Sequence, residues 1–391
     1  MKKLFLAHYS GDAHELWEQA TELRLRGIIP WVDKAGGFAV ADESEAAARR
    51  AIRDDCFGLL LYATASVFDR PFIRDVEVNE ALKVRQQDAN FALFAVPRGI
   101  SHAELKTESR RGFNADLGRY HTVAIPDGTD LQQGWAKVAS EVLKRVLTST
   151  VPPAPVQQLS LQYSTRDLMP HDLDDLLCID ATAFLDGAIT DPAKWQRLTH
   201  GLQDVKRAIS QTCGRPRLRI NGSKHLSAAF LFGRIFAPFE LDIRQTPAEF
   251  WATDAPVAPV TPFTASVQHR SDPQGRLYLE IASGHKNIAS GVDALIAATG
   301  QGPSVRLRLQ PSQGPLSVDN ELCRAMVKQA YAELERVVQT RSISEIHIFA
   351  AIPQSFMMML GRELKGMPPV QLYEWDGSRY TPACSIPSGV L

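Results

Sequence analysis

The chain has 391 residues, 45% of them hydrophobic and 22% charged, with 43 basic residues against 44 acidic. That length predicts several domains with cores of their own. The balanced charge, with 20 basic and 21 acidic residues up to position 150 and 23 of each beyond it, lacks the basic excess of a duplex-DNA binder.

In the first 148 residues, short apolar runs at 3–7, 28–32, 57–62, 91–96 and 122–125 alternate with helical patterns near 12–26, 43–54, 68–87, 101–117 and 130–147. Strands alternating with helices predict a five-stranded parallel sheet with right-handed crossovers, a flavodoxin-like α/β fold. Such sheets work at the carboxyl ends of their strands, which directs attention to residues 9–12, 33–38 and 64–71. Residues 149–158, STVPPAPVQQ, hold three prolines and no charge and read as a semi-rigid linker.

The remainder, 159–391, contains an internal echo. Strand, turn and helix from Arg217 (RLRINGSKHLSAAFLFGRIF) are followed by a strand at 239–243, and the same order recurs from Ile346 (IHIFAAIPQSFMMMLGREL) with a strand at 370–375. Both helices close on an apolar-Gly-Arg step, Phe232-Gly233-Arg234 and Leu360-Gly361-Arg362. Duplication of a Rossmann-like unit is expected, roughly 159–256 and 257–391, the second opening at 277–283 and including a long helix at 320–339. Two such units about a pseudo-dyad would frame one central cleft.

No run approaches the roughly 18 apolar residues of a membrane span, and the N-terminal apolar stretch is too short for a signal peptide. The five cysteines at 56, 178, 213, 323 and 384 never fall in CxxC spacing, so neither a disulfide framework nor a metal site is expected. A soluble, cytoplasmic protein with no membrane or duplex-DNA partner is the reading.

The order Phe5-Leu6-Ala7-His8-Tyr9 … Asp12, Trp31-Val32-Asp33 and Ser66 … Phe72 … Glu77-Val78-Asn79-Glu80-Ala81-Leu82 resembles a TIR domain over residues 1–148. Ile220-Asn221-Gly222-Ser223-Lys224-His225-Leu226, residues 346–353 and Tyr373-Glu374-Trp375 resemble a SAVED domain, a fusion of two CARF-like units, over 159–391. The pair, in this order, is similar to the TIR-SAVED effectors of bacterial CBASS anti-phage defence. That resemblance implies a sensor for a cyclic di- or tri-nucleotide and a TIR domain that hydrolyses NAD+, switched on by ligand-induced self-association into a multimer or filament. NAD+ is then the substrate, and no cofactor is implied.

Cleaving the N-glycosidic bond of NAD+ expels neutral nicotinamide and builds oxocarbenium character on the ribose, so one carboxylate beside the ribose suffices and no metal is needed. The resemblance places that carboxylate on Glu77, followed four positions later by Ala81. Glu80 competes, because a helical wheel from Phe72 sets both glutamates on the side of Ile73, Val76 and Val84. Trp31 reads either as a ring that stacks on nicotinamide or as a core residue. Tyr9 and Ser10 are candidates for substrate contact, and Asp12 equally for a helix cap. Asp33 begins a loop whose Gly36, Gly37 and Phe38 are assigned to assembly and gating; the spacing is not that of a P-loop. In the sensor half, Ser223, Lys224 and His225 occupy a strand-to-helix turn suited to a phosphate. Lys286 lies in a similar turn, and Trp375 is placed to stack a base. Met357, Met358 and Met359 are read as core. Against the enzyme stands a non-catalytic TIR scaffold that only assembles when the cyclic nucleotide binds.

Overall fold

The computed structural model describes residues 2–32, 41–151, 156–167, 175–269, 275–284, 288–312 and 314–389. They form two units: Met1–Val156 with His171–Asp180 and Arg207–Gly214, and Gln157–Pro170 with Ala181–Lys206 and Arg215–Leu391.

The first unit is a parallel sheet of five strands, β1 (Lys3–Ala7), β2 (Pro30–Trp31), β3 (Cys56–Ala63), β4 (Ala92–Pro97) and β5 (His121–Thr122), in the order β2-β1-β3-β4-β5. That is the flavodoxin-like order, whose switch point lies between β1 and β3. The helices are α1 (Ala13–Leu25), α2 (Ala41–Arg50), α3 (Asn79–Gln87), α4 (His102–Phe113) and α5 (Leu131–Thr150). The central strands are buried on both faces, as helices on both sides of a parallel sheet require. Phe5, Ala7, Leu59, Leu61, Ala63, Leu93 and Ala95 share one core cluster, every second residue of their strands.

Several expectations shift. β2 is shorter than 28–32, and its Pro30 has no N–H to give a ladder. The helix expected over 68–87 opens at Pro71, a residue suited to a first turn, and runs through a π-helical stretch at Ile73–Val78 before α3. The helix expected to 117 stops at Phe113, because Asn114 takes the left-handed conformation (φ 50°) that ends a helix. Its start is fixed by a capping box, the Ser101 hydroxyl accepting from the Glu104 N–H while Glu104 accepts from the Ser101 N–H. α5 continues to Thr150, into the first residues of the expected linker, whose positions 152–155 lie outside the described residues.

After β6 (Gln158–Ser164) comes β7 (Leu177–Asp180), which groups with the first unit. Then follow α6 (Thr182–Leu185), α7 (Pro192–Cys213), β8 (Arg217–Asn221), α8 (Leu226–Ile235), β9 (Leu241–Arg244), β10 (Phe250–Ala252), β11 (Phe263–His269) and β12 (Arg276–Ala282). The chain ends with α9 (Ile288–Thr299), β13 (Val305–Pro311), α10 (Asn320–Thr340), β14 (Glu345–Ala351), α11 (Gln354–Glu363), β15 (Val370–Trp375) and β16 (Tyr380–Ile386). Strands β10-β9-β8-β6 run side by side in one sheet of the second unit, and β16-β15-β14-β12 in the other. In each, the first-named strand is antiparallel and the rest are parallel, so the echo in the sequence is an echo of topology. The third sheet extends through β13 to an antiparallel edge, β11.

The two repeats meet through α8 and α11. A Cβ at Gly233 would strike the backbone of Met358, and one at Gly361 the backbone of Phe230. Each glycine thus sits on the residue three positions before its counterpart, a reciprocal crossing that only the missing side chains allow. The adjoining arginines are held as well: Arg362 donates to the Phe239 and Phe236 carbonyls and Arg234 to that of Gly389. Met357, Met358 and Met359 are buried here, as expected. Among the described residues, no helix is long and apolar enough to cross a membrane, and no group of three or more His, Cys, Asp or Glu is arranged to hold a metal.

Candidate functional site

In the first unit, Glu77 is 8% exposed and lies within the π-helical stretch, which packs against β1, α2 and α4. Glu80 is as deeply buried, but its carboxylate is held by Arg49 at 3.0 Å and Arg53 at 3.4 Å, with Lys83 at 4.0 Å. Glu80 thus has three basic neighbours around its carboxylate. Trp31 stacks on Phe5, ring centroids 4.5 Å apart and planes at 14°, and packs against the core while remaining half-buried.

At the end of β1, the Tyr9 ring lies under the Arg70 guanidinium at 3.9 Å and fills the space where a Cβ at Gly11 would stand. Ser10 is exposed. Asp12 does not cap α1 with its side chain; it accepts instead from the Thr64 hydroxyl at 2.8 Å, tying the ends of β1 and β3 at the switch point. Asp33, Gly36, Gly37 and Phe38 lie outside the described residues, as does Lys286.

In the second unit, two cavities of about 890 and 720 Å³ share Arg166, Glu374 and Trp375 in their walls. The end of β6 and the turn after β8 are stitched together to build this wall. The Ser223 carbonyl accepts from the N–H groups of Thr165 (2.9 Å) and Arg166 (3.3 Å), and the His225 N–H donates to the Thr165 hydroxyl at 2.9 Å. That hydroxyl also lies 3.1 Å from His225 Nδ1, in a bond whose direction follows the ring's tautomer. Burial first, and Arg166 after it, push the His225 pKa down to about 4, so the ring lining the larger cavity is uncharged at neutral pH.

Lys224 turns its ammonium onto its own turn. Its side chain is buried, and Nζ donates to the carbonyls of Asn221 (3.0 Å) and Gly222 (2.6 Å). Gly222 makes this possible: φ is +93°, and a Cβ there would collide with Tyr163 and Ser164. Burial pushes the Lys224 pKa down to about 7. It lines neither cavity, and the cation in the shared wall is Arg166.

Trp375 is 48% exposed, meets Tyr380 edge-on at 5.2 Å and takes the space left open by Gly291. Its position in both cavity walls suits a base-stacking role. Next to it, Glu374 accepts from the Ser227 N–H at 2.6 Å. The sequence reading passed over Arg166 and Glu374 as site residues. For Arg166 the available signal was a polar turn at the end of an apolar strand, the same signal that singled out the other turns.

Residues 202–386 match the SAVED family, the SMODS-associated and fused to various effectors sensor domain. The CD-NTase-associated protein 4 of Acinetobacter sp. (strain ATCC 27244 / 9458) is 26% identical over 206 residues, 51% of this chain and 43% of that protein. The protein of the same name from Moraxella osloensis is 25% identical over 207 residues, with the same coverage. The chain thus spans less than half the length of these curated relatives. In fold it is similar to the Acinetobacter baumannii Cap4 SAVED/CARF-domain containing receptor solved with the cyclic trinucleotide 3'3'3'-cAAA. The TM-score is 0.50 at 16% identity, over 95% of this chain and 97% of that one. The same receptor with 2'3'3'-cAAA gives 0.50 at 17% identity, over 90% and 86%.

Proposed function

We propose that the chain is a cyclic-oligonucleotide-gated NAD+ glycohydrolase of a CBASS defence system, with a SAVED sensor and an N-terminal TIR domain. The observation that carries the sensor half is the wall shared by two cavities, where Arg166 offers a cation to a phosphate and Trp375 an exposed ring to a base. Similar receptors solved with cyclic trinucleotides support a ring of that class as the first ligand to test.

The N-terminal half is supported by the flavodoxin-like strand order and by Glu77, buried on the element that follows β3. π-Helical turns recur at functional sites, and this one carries the glutamate. The Glu77 carboxylate would stabilise the ribosyl cation as the bond to nicotinamide breaks; water then adds to the anomeric carbon and gives up a proton. Tyr9, Ser10, Trp31 and Asp33 are the proposed substrate contacts, with Gly36, Gly37 and Phe38 completing the site when ligand assembles several chains.

The test is NAD+ consumption by the full chain with and without a panel of cyclic di- and trinucleotides. Loss of NAD+ only with a ring present supports the proposal. Assembly on the ring without loss of NAD+ would leave a non-catalytic scaffold.

A further inference from the structure

Glu374 occupies a place that an incoming anion would want. Its carboxylate stands in the wall common to both cavities and bonds the N–H of Ser227, with the Leu226 N–H also in reach. Those two residues open α8, a ten-residue helix whose first N–H groups have no partner within the helix and carry the positive end of its dipole. Burial raises the Glu374 pKa above the usual carboxylate range, and the N–H bonds oppose that rise.

A wall that pairs one cation with one anion is a poor receptor for a single phosphate, because Arg166 attracts what Glu374 repels. A ring that holds several phosphates at fixed spacing engages several donors at once and loses little freedom in doing so. We propose that Glu374 is a built-in anion that fills the start of α8 in the unliganded sensor, and that only a multiply charged cyclic oligonucleotide displaces it. The residue then sets the sensor's threshold and its rejection of mononucleotides. This inference rests on the cyclic-oligonucleotide reading of the cleft.

The experiment is calorimetric titration of the full chain, wild type, Glu374→Gln and Glu374→Ala, with 3'3'3'-cAAA, 2'3'3'-cAAA, a cyclic diadenylate and AMP at one salt concentration. Glu374→Gln keeps the acceptor for Ser227 and loses only the charge. It should bind the preferred ring roughly tenfold tighter and AMP measurably, so that selectivity for the ring falls. Glu374→Ala should shift both affinities in the same direction, and a thermal melt of each variant identifies misfolding. If the wild type binds a ring and neither folded variant binds it tighter, the inference falls and the cleft reading stands. If no form binds any ring, the cleft reading falls and takes the inference with it.

Discussion

Replacing Gly361 by Ala tests the crossing of α8 and α11. In an open helix this change is favourable by about 1 kcal/mol, since alanine is the better helix former. Here the new methyl would lie 3.1 Å from the Phe230 carbonyl carbon and 3.2 Å from the Arg234 nitrogen, and closer still to the Phe230 oxygen. All three are backbone atoms, so no rotamer change relieves the clash and the helices must part. Overpacking of this kind costs up to about 3 kcal/mol, which outweighs the propensity gain and leaves a net loss of about 2 kcal/mol. For a unit of 150–250 residues that is a fall in Tm of about 4–8 °C. The assay is a thermal melt followed by tryptophan fluorescence, with Gly284→Ala as the control, because a Cβ at 284 meets nothing within 4 Å among the described residues. A Gly361→Ala protein that melts with the control or above it would refute the close crossing.

Three further outcomes are expected. Glu77→Gln should lower NAD+ cleavage by about 100-fold or more, and Glu80→Gln, which strips Arg49 and Arg53 of a partner, should cost about 1–2 kcal/mol in a melt. Trp375→Ala should weaken ring binding by about 1–3 kcal/mol in a calorimetric titration, the value of a stacked base. Lys224 titrates near 7 when folded and at 10.5 in its reference state, so the unfolded chain binds the extra proton between those values. Stability should therefore rise as pH increases from 7 toward 10, and Lys224→Met should flatten that rise in denaturant titrations.

The alternation of strands and helices was readable because the two periods differ and because Gly, Pro and polar turns punctuate them. The Gly-Arg steps announced the repeat, although their reason, a reciprocal backbone contact between helices far apart in the chain, exists only in three dimensions. The π-helical turn beneath Glu77 had no local signal, and a wheel of ideal helical period could not tell Glu77 from Glu80. Nor could it foresee that Arg49 and Arg53, distant in the chain, close on Glu80. The burial of Lys224 was illegible for a related reason: it depends on the left-handed Gly222 folding two carbonyls back onto the ammonium. Arg166 gave no local signal of its own, since the carbonyl that anchors its backbone belongs to Ser223, on a distant turn.

The central claim is that occupancy of the SAVED cleft switches on chemistry at Glu77. The most direct measurement is nicotinamide release from NAD+ as the activating ring is titrated, set beside calorimetric binding of the same ring to the same protein. The account predicts no release without ring, half-maximal release where binding is half-saturated, specific activity that rises with protein concentration, and none of this in Glu77→Gln. Release at full rate without ring, or unaltered release in Glu77→Gln, would contradict it.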